Sequence, residues 1–383
     1  MDASAMETLF WFAVIFIVYA YAGYPLLLLA LSCCHHRPVK KGNITSTVSF
    51  IITAYNEENR IREKIENSLA LDYPRDRLEL IVASDCSTDQ TDRIVQSFQT
   101  QGVRLVRAAQ RHGKEAAQKL GVEAAGGEIL VFSDVATILP PDAISNIVKN
   151  FHDPTVGCVS SVDKIIDAAG KVSGEGAYVR YEMFLRDLET RTNTLVGLSG
   201  SFFAARRSVC RNWQPELQSD FNTLLNAVQA GLRGVSDRES VGYYKTIVDE
   251  TKEYERKVRT VLRGIAVFMN SLPMLNPFRY GLFSWQLLSH KLCRWLVPFA
   301  MLASFFSNAV LISAPFYLYL FGLQCAGYGL AIQSIWTKRL SQNPLLKLPT
   351  YLVIVNLSIL DAWFRYCRGE RVVRWNPSER EAS

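Results

Sequence analysis

Hydrophobic positions fall into two regimes along the chain: long uncharged stretches toward both ends, and short apolar runs alternating with helix-period segments between them. Leu9 to Leu31 carries no charged residue, which is long enough for a helix to cross a bilayer. A cleavable signal would want a basic start and a shorter apolar core, so this stretch reads as an anchor. A second uncharged stretch, Trp295 to Thr337, is long enough for two spans, with Ser313-Ala314-Pro315 as the turn between them. A third, Leu348 to Leu360, is marginal in length and reads as a re-entrant or interfacial segment. Phe283 to Arg294 mixes Trp285, Leu287 and Leu288 with His290, Lys291 and Arg294. It suits equally an interfacial helix leading into the membrane or the start of the next span.

Between the apolar ends, strand and helix patterns alternate. Val48 to Thr53, Leu78 to Ser84, Val103 to Val106 and Glu128 to Ser133 read as strands. Helical periodicity runs over Glu57 to Ala70, Thr88 to Phe98 and Lys114 to Ala125, the last stopped by Gly126-Gly127. Pro141 opens a further helix with Ile144, Ile147 and Val148 on one face. Such alternation predicts an α/β domain, a mostly parallel Rossmann-like sheet with helices on both faces. The organisation expected is an anchor over residues 1–40, a soluble domain over 41–265, and over 266–383 an interfacial helix, two to three membrane segments and a basic tail.

Charge adds orientation. Asp2 and Glu7 precede the first span, and Arg37, Lys40 and Lys41 follow it, which places the α/β domain in the cytoplasm. A tail carrying Arg365, Arg368, Arg371, Arg374 and Arg380 would lie outside if Leu348 to Leu360 crossed fully, hence the re-entrant reading. The formal net charge of +6 suits phosphorylated substrates or anionic lipid. No RNA-binding signature or zinc-finger spacing occurs, so nucleic acid is set aside. Eight scattered cysteines without a C-x-x-C pair read as reduced and intracellular. Cys33-Cys34-His35-His36 reads as a juxtamembrane flank rather than a metal site, because no further ligands lie nearby.

In parallel sheets, ligands bind beyond the carboxyl ends of the strands. Tyr55-Asn56-Glu57, Asp85 to Asp89 and Asp134-Val135-Ala136 occupy those ends. Acidic groups gathered there, with no obvious basic partner, suggest a divalent metal or a sugar–nucleotide. Asp89 reads as support for the following helix and Ser87 as a cap boxed with Gln90. Asp85 and Asp134 directly follow apolar strands without being placed for capping, and read as functional. Asp220 on residue grounds alone is an ordinary helix-start residue.

Taken in order and spacing, these segments resemble the membrane-bound branches of family 2 glycosyltransferases, with cellulose synthase and poly-N-acetylglucosamine synthase catalytic subunits. The resemblance rests on Thr53-Ala54-Tyr55-Asn56-Glu57, Asp85-Cys86-Ser87-Thr88-Asp89, Arg111-His112-Gly113-Lys114, Ser133-Asp134, Gly174-Glu175-Gly176, Tyr181-Glu182, Gly200-Ser201-Phe202-Phe203-Ala204 and the tail from Trp375 to Arg380. It implies a GT-A fold, a divalent Mg²⁺ or Mn²⁺ and inversion at the anomeric carbon. By the same resemblance Thr53, Tyr55, Glu57 and Asp85 would serve the nucleoside part of the donor, and Lys114 would lie near the nucleotide or diphosphate. Asp134 would reach the metal, Gly200 and Ser201 would lie on the acceptor side, and Asp220 would be the general base. Arg256-Lys-Val-Arg259-Thr260 stands where the family has Q-x-x-R-W, and Lys252, Arg256, Arg259 and Arg263 share a helix face that suits diphosphate or anionic lipid. Ala136 replaces a second metal ligand, Ser219 the acid before the base, and Thr260 the tryptophan of processive synthases.

The expectation is an inverting transferase moving a sugar from a nucleotide donor, a UDP-sugar, to a glycan or lipid-linked acceptor in polysaccharide synthesis, working at membrane lipid with an export partner or as an oligomer. Transfer of a single sugar to a lipid carrier is the rival enzyme reading. A non-catalytic nucleotide-sugar-binding subunit is the non-enzyme reading, supported by Ala136 and Ser219 and opposed by Asp85, Asp134 and Asp220.

Overall fold

The computed structural model describes residues 2–166, 177–245, 250–336 and 344–371. Gly174 to Gly176, Arg374 and the tail from Trp375 to Arg380 lie outside these. Contacts divide the chain into two compact units. One takes Met1–Cys34, Thr251–Ile265 and Pro273–Glu370, and the other is centred on His35–Glu250 with Ala266–Leu272. The boundary expected near residue 265 falls inside one helix.

The first unit begins with α1 (Ala3–Val18), which runs through a π turn at Tyr19–Gly23 into α2 (Tyr24–Cys34). The second unit then supplies β1 (Val48–Ala54), α3 (Ile61–Leu69), β2 (Leu78–Ser84), α4 (Thr91–Gln96), β3 (Val103–Arg107), α5 (Lys114–Ala124), β4 (Ile129–Asp134) and α6 (Ala143–Lys149). It continues with β5 (Val156–Ile166), α7 (Ala177–Thr192), β6 (Phe202–Arg206), α8 (Ser219–Gln229) and β7 (Arg233–Lys245). The four strands and four helices read from the pattern occur in order, with helix ends shortened by up to four residues.

The sheet order is β3-β2-β1-β4-β6-β5-β7. All pairs are parallel except those of β6, which runs antiparallel to β4 and to β5. The sheet is mostly parallel, as expected, with one reversed strand that matters for chemistry. Because β6 enters where β4 ends, the turn before it lies against Asp134, whose N–H donates to the Ser201 carbonyl at 3.0 Å.

Every residue of β1 is buried, because its two faces serve two cores. Phe50, Ile52 and Ala54 pack with Ile61 and Ile65 of α3 and Ile144 and Ile147 of α6, while Ile51 joins Ala117 of α5 and Leu224 of α8. Helices therefore cover both faces. Near the end of β4, Phe132 stacks on Phe203 at 4.7 Å and on Trp213 at 5.1 Å, and the Trp213 indole N–H donates to the Glu115 carbonyl at 2.9 Å. That stack ties α5 and the edge of β4 into one rigid body. Its loss, as in Phe132→Ala, would cost about 3–5 kcal/mol.

The first unit resumes with α9 (Glu250–Asn270), α10 (Pro277–Tyr280), α11 (Leu282–Leu287), α12 (Arg294–Val310), α13 (Pro315–Trp336) and α14 (Pro344–Cys367). Among the described residues, two helices are long and apolar enough to cross a membrane: Ala3–Cys34 and Leu282–Val310. The second is α11 joined through a π turn to α12, so Phe283 to Arg294 is continuous with a helix of span length. The two π turns meet: Tyr19 and Ser289 share a hydroxyl hydrogen bond at 2.7 Å, and the Trp285 indole donates to Tyr19 at 3.0 Å. The stretch read as a re-entrant or interfacial segment lies in helix α14, one continuous helix of 24 residues. Its apolar run is short because Asp361 and Arg365 interrupt it, and these pair at 2.9 Å while Arg365 reaches Glu255 at 3.1 Å. All eight cysteines are free.

Candidate active site

The carboxyl ends of β1 and β2 are joined by loops that bond to each other. Asn56 and Cys86 both adopt left-handed backbone, with φ of 51° and 59°. The Asn56 side-chain oxygen accepts the Thr88 N–H at 2.8 Å, the Ser87 hydroxyl accepts the Asn56 N–H at 3.2 Å, and Thr91 accepts the Glu57 N–H at 2.8 Å. Asp89 accepts the Thr91 N–H at 3.0 Å at the start of α4, the supporting part read from sequence. Ser87 is not boxed with Gln90. Its hydroxyl is turned to the neighbouring loop, and the Gln90 N–H goes to Glu58 at 2.9 Å. Glu57 is buried and holds Arg60 at 2.7 Å. Thr53 is buried with its hydroxyl oxygen unpaired. Tyr55 lies under the Arg111 guanidinium, 3.7 Å from ring centre to Cζ, a stacked platform at the rim.

Asp85 is fully buried, and its two oxygens accept the N–H groups of His112 at 2.9 Å and Gly113 at 2.8 Å. A carboxylate doubly bonded to backbone amides is an anchor. Here it holds the segment just ahead of α5, where Gly113 takes a φ of 102° that other residues resist. What Asp85 positions is the pair on either side: Arg111 over Tyr55, and Lys114 at the first turn of α5.

Lys114 is the centre of the site. Its ammonium lies 2.5 Å from an Asp134 carboxylate oxygen and donates to the Gly200 carbonyl at 3.0 Å. The reading that the gathered acids lack a basic partner is therefore corrected: Lys114, from a different helix, is that partner, and sequence distance hid it. Below Asp134, the buried Lys64 of α3 donates to the Ser133 hydroxyl at 2.8 Å and the Thr137 carbonyl at 2.6 Å. Burial pulls its ammonium down to about 7, against the attraction of Asp134. On the other side of Gly200 stands Asp220, in the first turn of α8 and mostly buried. A Cβ on Gly200 would sit 2.8 Å from its Oδ2. Asp134, Lys114, Gly200 and Asp220 thus converge, drawn from β4, α5, the turn before β6, and α8.

Asp134 is the residue that the sequence reading assigns to a metal, and no group of three or more His, Cys, Asp or Glu able to hold a metal occurs among the described residues. Its Oδ1 is buried and, apart from the ion pair, makes no hydrogen bond. Magnesium-like ions are commonly held by one or two carboxylates plus phosphate oxygens and water. The residues present fit that minimal kind of site, completed by a diphosphate, and not an all-protein cage.

Sequence reasoning missed Asp163. It is a charged residue in the otherwise uncharged first part of β5, the only signal available, and it faces the turn before β6. It accepts hydrogen bonds from the hydroxyls of Ser199, at 2.5 Å, and of Ser201. Burial pushes its carboxyl above the usual range, and the two serines and Arg186 pull against that. Arg256 and Arg259 lie on α9 in the helical unit, with Arg263 on the following turn. Burial lowers the Arg259 guanidinium, and crowding by Arg263 and Arg256 adds to it. The Lys252 side chain lies outside the described residues.

Residues 49–213 match the family model for glycosyl transferase family 2. The chain is similar to poly-beta-1,6-N-acetyl-D-glucosamine synthase from Staphylococcus aureus, 27% identical over 167 residues, covering 42% of this chain and 40% of that protein. The same synthase from Staphylococcus epidermidis is 25% identical over 171 residues, 43% of this chain and 40% of the relative. The matched stretch thus spans about two fifths of the length of these relatives. Among solved structures, the chain is similar to a mannosyltransferase from Pyrobaculum calidifontis determined with GDP-mannose and Mn²⁺: 22% identity, 94% of this chain, 99% of that chain and a TM-score of 0.72. That likeness shows the fold, which is the GT-A arrangement. The strand-end loops, Asp85 and Asp134 all lie within residues 49–213, the stretch that matches glycosyl transferase family 2.

Proposed function

We propose that the chain transfers a sugar from a nucleoside-diphosphate donor to a hydroxyl of a glycan or lipid-linked acceptor, with inversion, at the cytoplasmic face of a membrane. The observation that carries this is the convergence of Asp134, Lys114, Gly200 and Asp220 at the carboxyl edge of the sheet. Departure of a nucleoside diphosphate needs positive charge at the leaving oxygens, and attack needs a carboxylate within reach of the hydroxyl. Lys114 supplies the first on the donor side. Asp220, across Gly200, takes the acceptor proton. Asp134 would hold a Mg²⁺ or Mn²⁺ ion, which would supply charge stabilisation for the diphosphate. Tyr55 and Arg111 offer a stacked surface for the base, Glu57 and Asp85 hold the loops around it, and Thr53 leaves an unpaired hydroxyl beneath. Arg256 and Arg259 crowd one part of α9, and crowded arginines favour an anion such as a phosphate group. Polysaccharide synthesis is the reading favoured by the similarity to the staphylococcal synthases, and a UDP-sugar is the donor we propose for it.

The test uses the purified full chain with radiolabelled UDP-N-acetylglucosamine, UDP-glucose and GDP-mannose, with and without Mn²⁺ or Mg²⁺. One donor should give labelled product, and Asp220→Asn should lower the rate about 100-fold or more while still binding nucleotide. Wild-type rates in Asp220→Asn would remove it from the mechanism. Failure of every nucleotide sugar to bind would end the transferase reading.

A further inference from the structure

The Ser199-Gly200-Ser201 turn touches three separate parts of the site. Its middle carbonyl takes the Lys114 ammonium, its Gly200 Cα faces Asp220, and its Ser201 carbonyl takes the Asp134 N–H. A turn without side chains of its own in the chemistry must be held from behind, and one group does this. Asp163 grips the hydroxyl on each side of Gly200, and those two hydroxyls lie 3.0 Å from each other. The turn is secured at a further point where the Ser199 N–H donates to the Ser160 hydroxyl at 2.8 Å, and Arg186 donates to the same hydroxyl at 2.9 Å. Thus β5 supplies both the grip and its backing.

We propose that Asp163 is a positioning residue, which by clamping Ser199 and Ser201 fixes Gly200 as the spacer between Lys114 and Asp220. The inference rests on the transferase reading and extends it by a residue that never meets substrate. Reacting groups displaced by about 1 Å can lose about 100-fold in rate. Releasing the clamp should therefore be felt in turnover and not in donor binding, because the Tyr55, Asp85 and Arg111 loops do not depend on it.

The test compares Asp163→Leu, which keeps the branched shape at a larger volume and removes both bonds, with the near-isosteric Asp163→Asn, which can still bond both hydroxyls. Full-length enzyme is assayed for kcat, KM, nucleotide affinity and Tm. Asp163→Leu should lower kcat about 100-fold with nucleotide affinity within about threefold of wild type, and Asp163→Asn should recover to within about fivefold. Wild-type kcat in Asp163→Leu would overturn the proposal, as would an Asp163→Asn variant as slow as the leucine variant, which would make charge and not the clamp the cause. Loss of nucleotide affinity in step with kcat would reduce Asp163 to a general structural part. Should Asp163→Leu fail to fold, Ser199→Ala removes one limb of the clamp; a kcat reduced about tenfold supports the proposal and an unchanged one overturns it. The wild-type enzyme in the same assay separates the failures. If no nucleotide sugar binds or gives product, the transferase reading falls. If the wild type transfers, Asp220→Asn does not, and Asp163→Leu still does, only the clamp falls.

Discussion

Gly200 lacks a side chain because Asp220 occupies the space one would need. Gly200→Ala would place a methyl 2.8 Å from the Asp220 Oδ2, well inside contact distance, and the carboxylate would have to turn away. Transfer should fall about 10- to 100-fold, with stability changed by less than about 1 kcal/mol. Wild-type turnover in that variant would show that the Asp220 rotamer does not matter. A different strain sits at Cys86, whose φ of 59° is uncommon for a residue with a Cβ. Cys86→Gly should raise the unfolding midpoint slightly, by up to about 1 kcal/mol in stability, and a lowered Tm would mean its sulfur contacts with Arg107 and the Ala109 carbonyl matter more than the strain. At this scale the sequence told part of the story. Asp134 was legible because it ends an apolar strand, and Asp220 only through its match to a motif. Lys114 was legible as a donor residue but not as the partner of Asp134, since no pattern announces a contact between α5 and β4. Asp163 and Lys64 were illegible for another reason. A buried charge on a strand or helix looks like an interruption in the pattern until its partners, all distant in sequence, are known.

Between elements, the amino-terminal approach to the sheet is locked by Asp153 and Arg233. Asp153, just ahead of β5, accepts from the Thr155 hydroxyl at 2.7 Å, the Thr155 N–H at 3.0 Å, the Lys40 N–H at 3.3 Å and Arg233 of β7 at 3.4 Å. Burial opposes its charge, but these bonds outweigh it and hold the carboxyl below the usual range. A carboxyl depressed in the folded state adds stability above its unfolded value, about 4, and loses it as pH falls through the folded one. Asp153→Asn should therefore cost about 1–3 kcal/mol near pH 7. The gap from wild type should shrink steadily below about pH 4 in acid-unfolding curves, and a gap independent of pH would mean that the carboxylate charge is not what stabilises the joint. The elements themselves were the most legible part of the chain, because apolar runs bounded by polar strand ends leave few alternatives to a parallel sheet. The reversed β6 was not legible. Phe202 to Arg206 reads as any buried strand, and its direction is set by pairing with β4 and β5, which local pattern does not encode.

For the molecule as a whole, the question is which side of a membrane each end of the helical unit meets. Phe12, Ile15, Val18 and Leu26 are exposed along the first helix, an apolar surface that a bilayer would cover. Arg37, Lys40 and Lys41 follow that helix and argue for a cytoplasmic carboxyl end. Helix α14 poses the harder case. Its 24 residues would extend about 36 Å, enough to cross, yet Arg365, Arg368 and Arg371 cluster at its carboxyl end, where crossing outward would be resisted. The basic cluster should prevail, because moving several arginines across costs more than leaving an amphipathic helix at the interface. Cys33 at the end of α2 and Cys367 at the end of α14 are both exposed and report the two positions. In variants retaining one of these cysteines alone, a membrane-impermeant maleimide should label neither in intact cells and both after permeabilisation. Labelling of Cys367 but not Cys33 in intact cells would mean that α14 crosses despite its charges, and labelling of Cys33 would invert the orientation on which a cytoplasmic donor site depends.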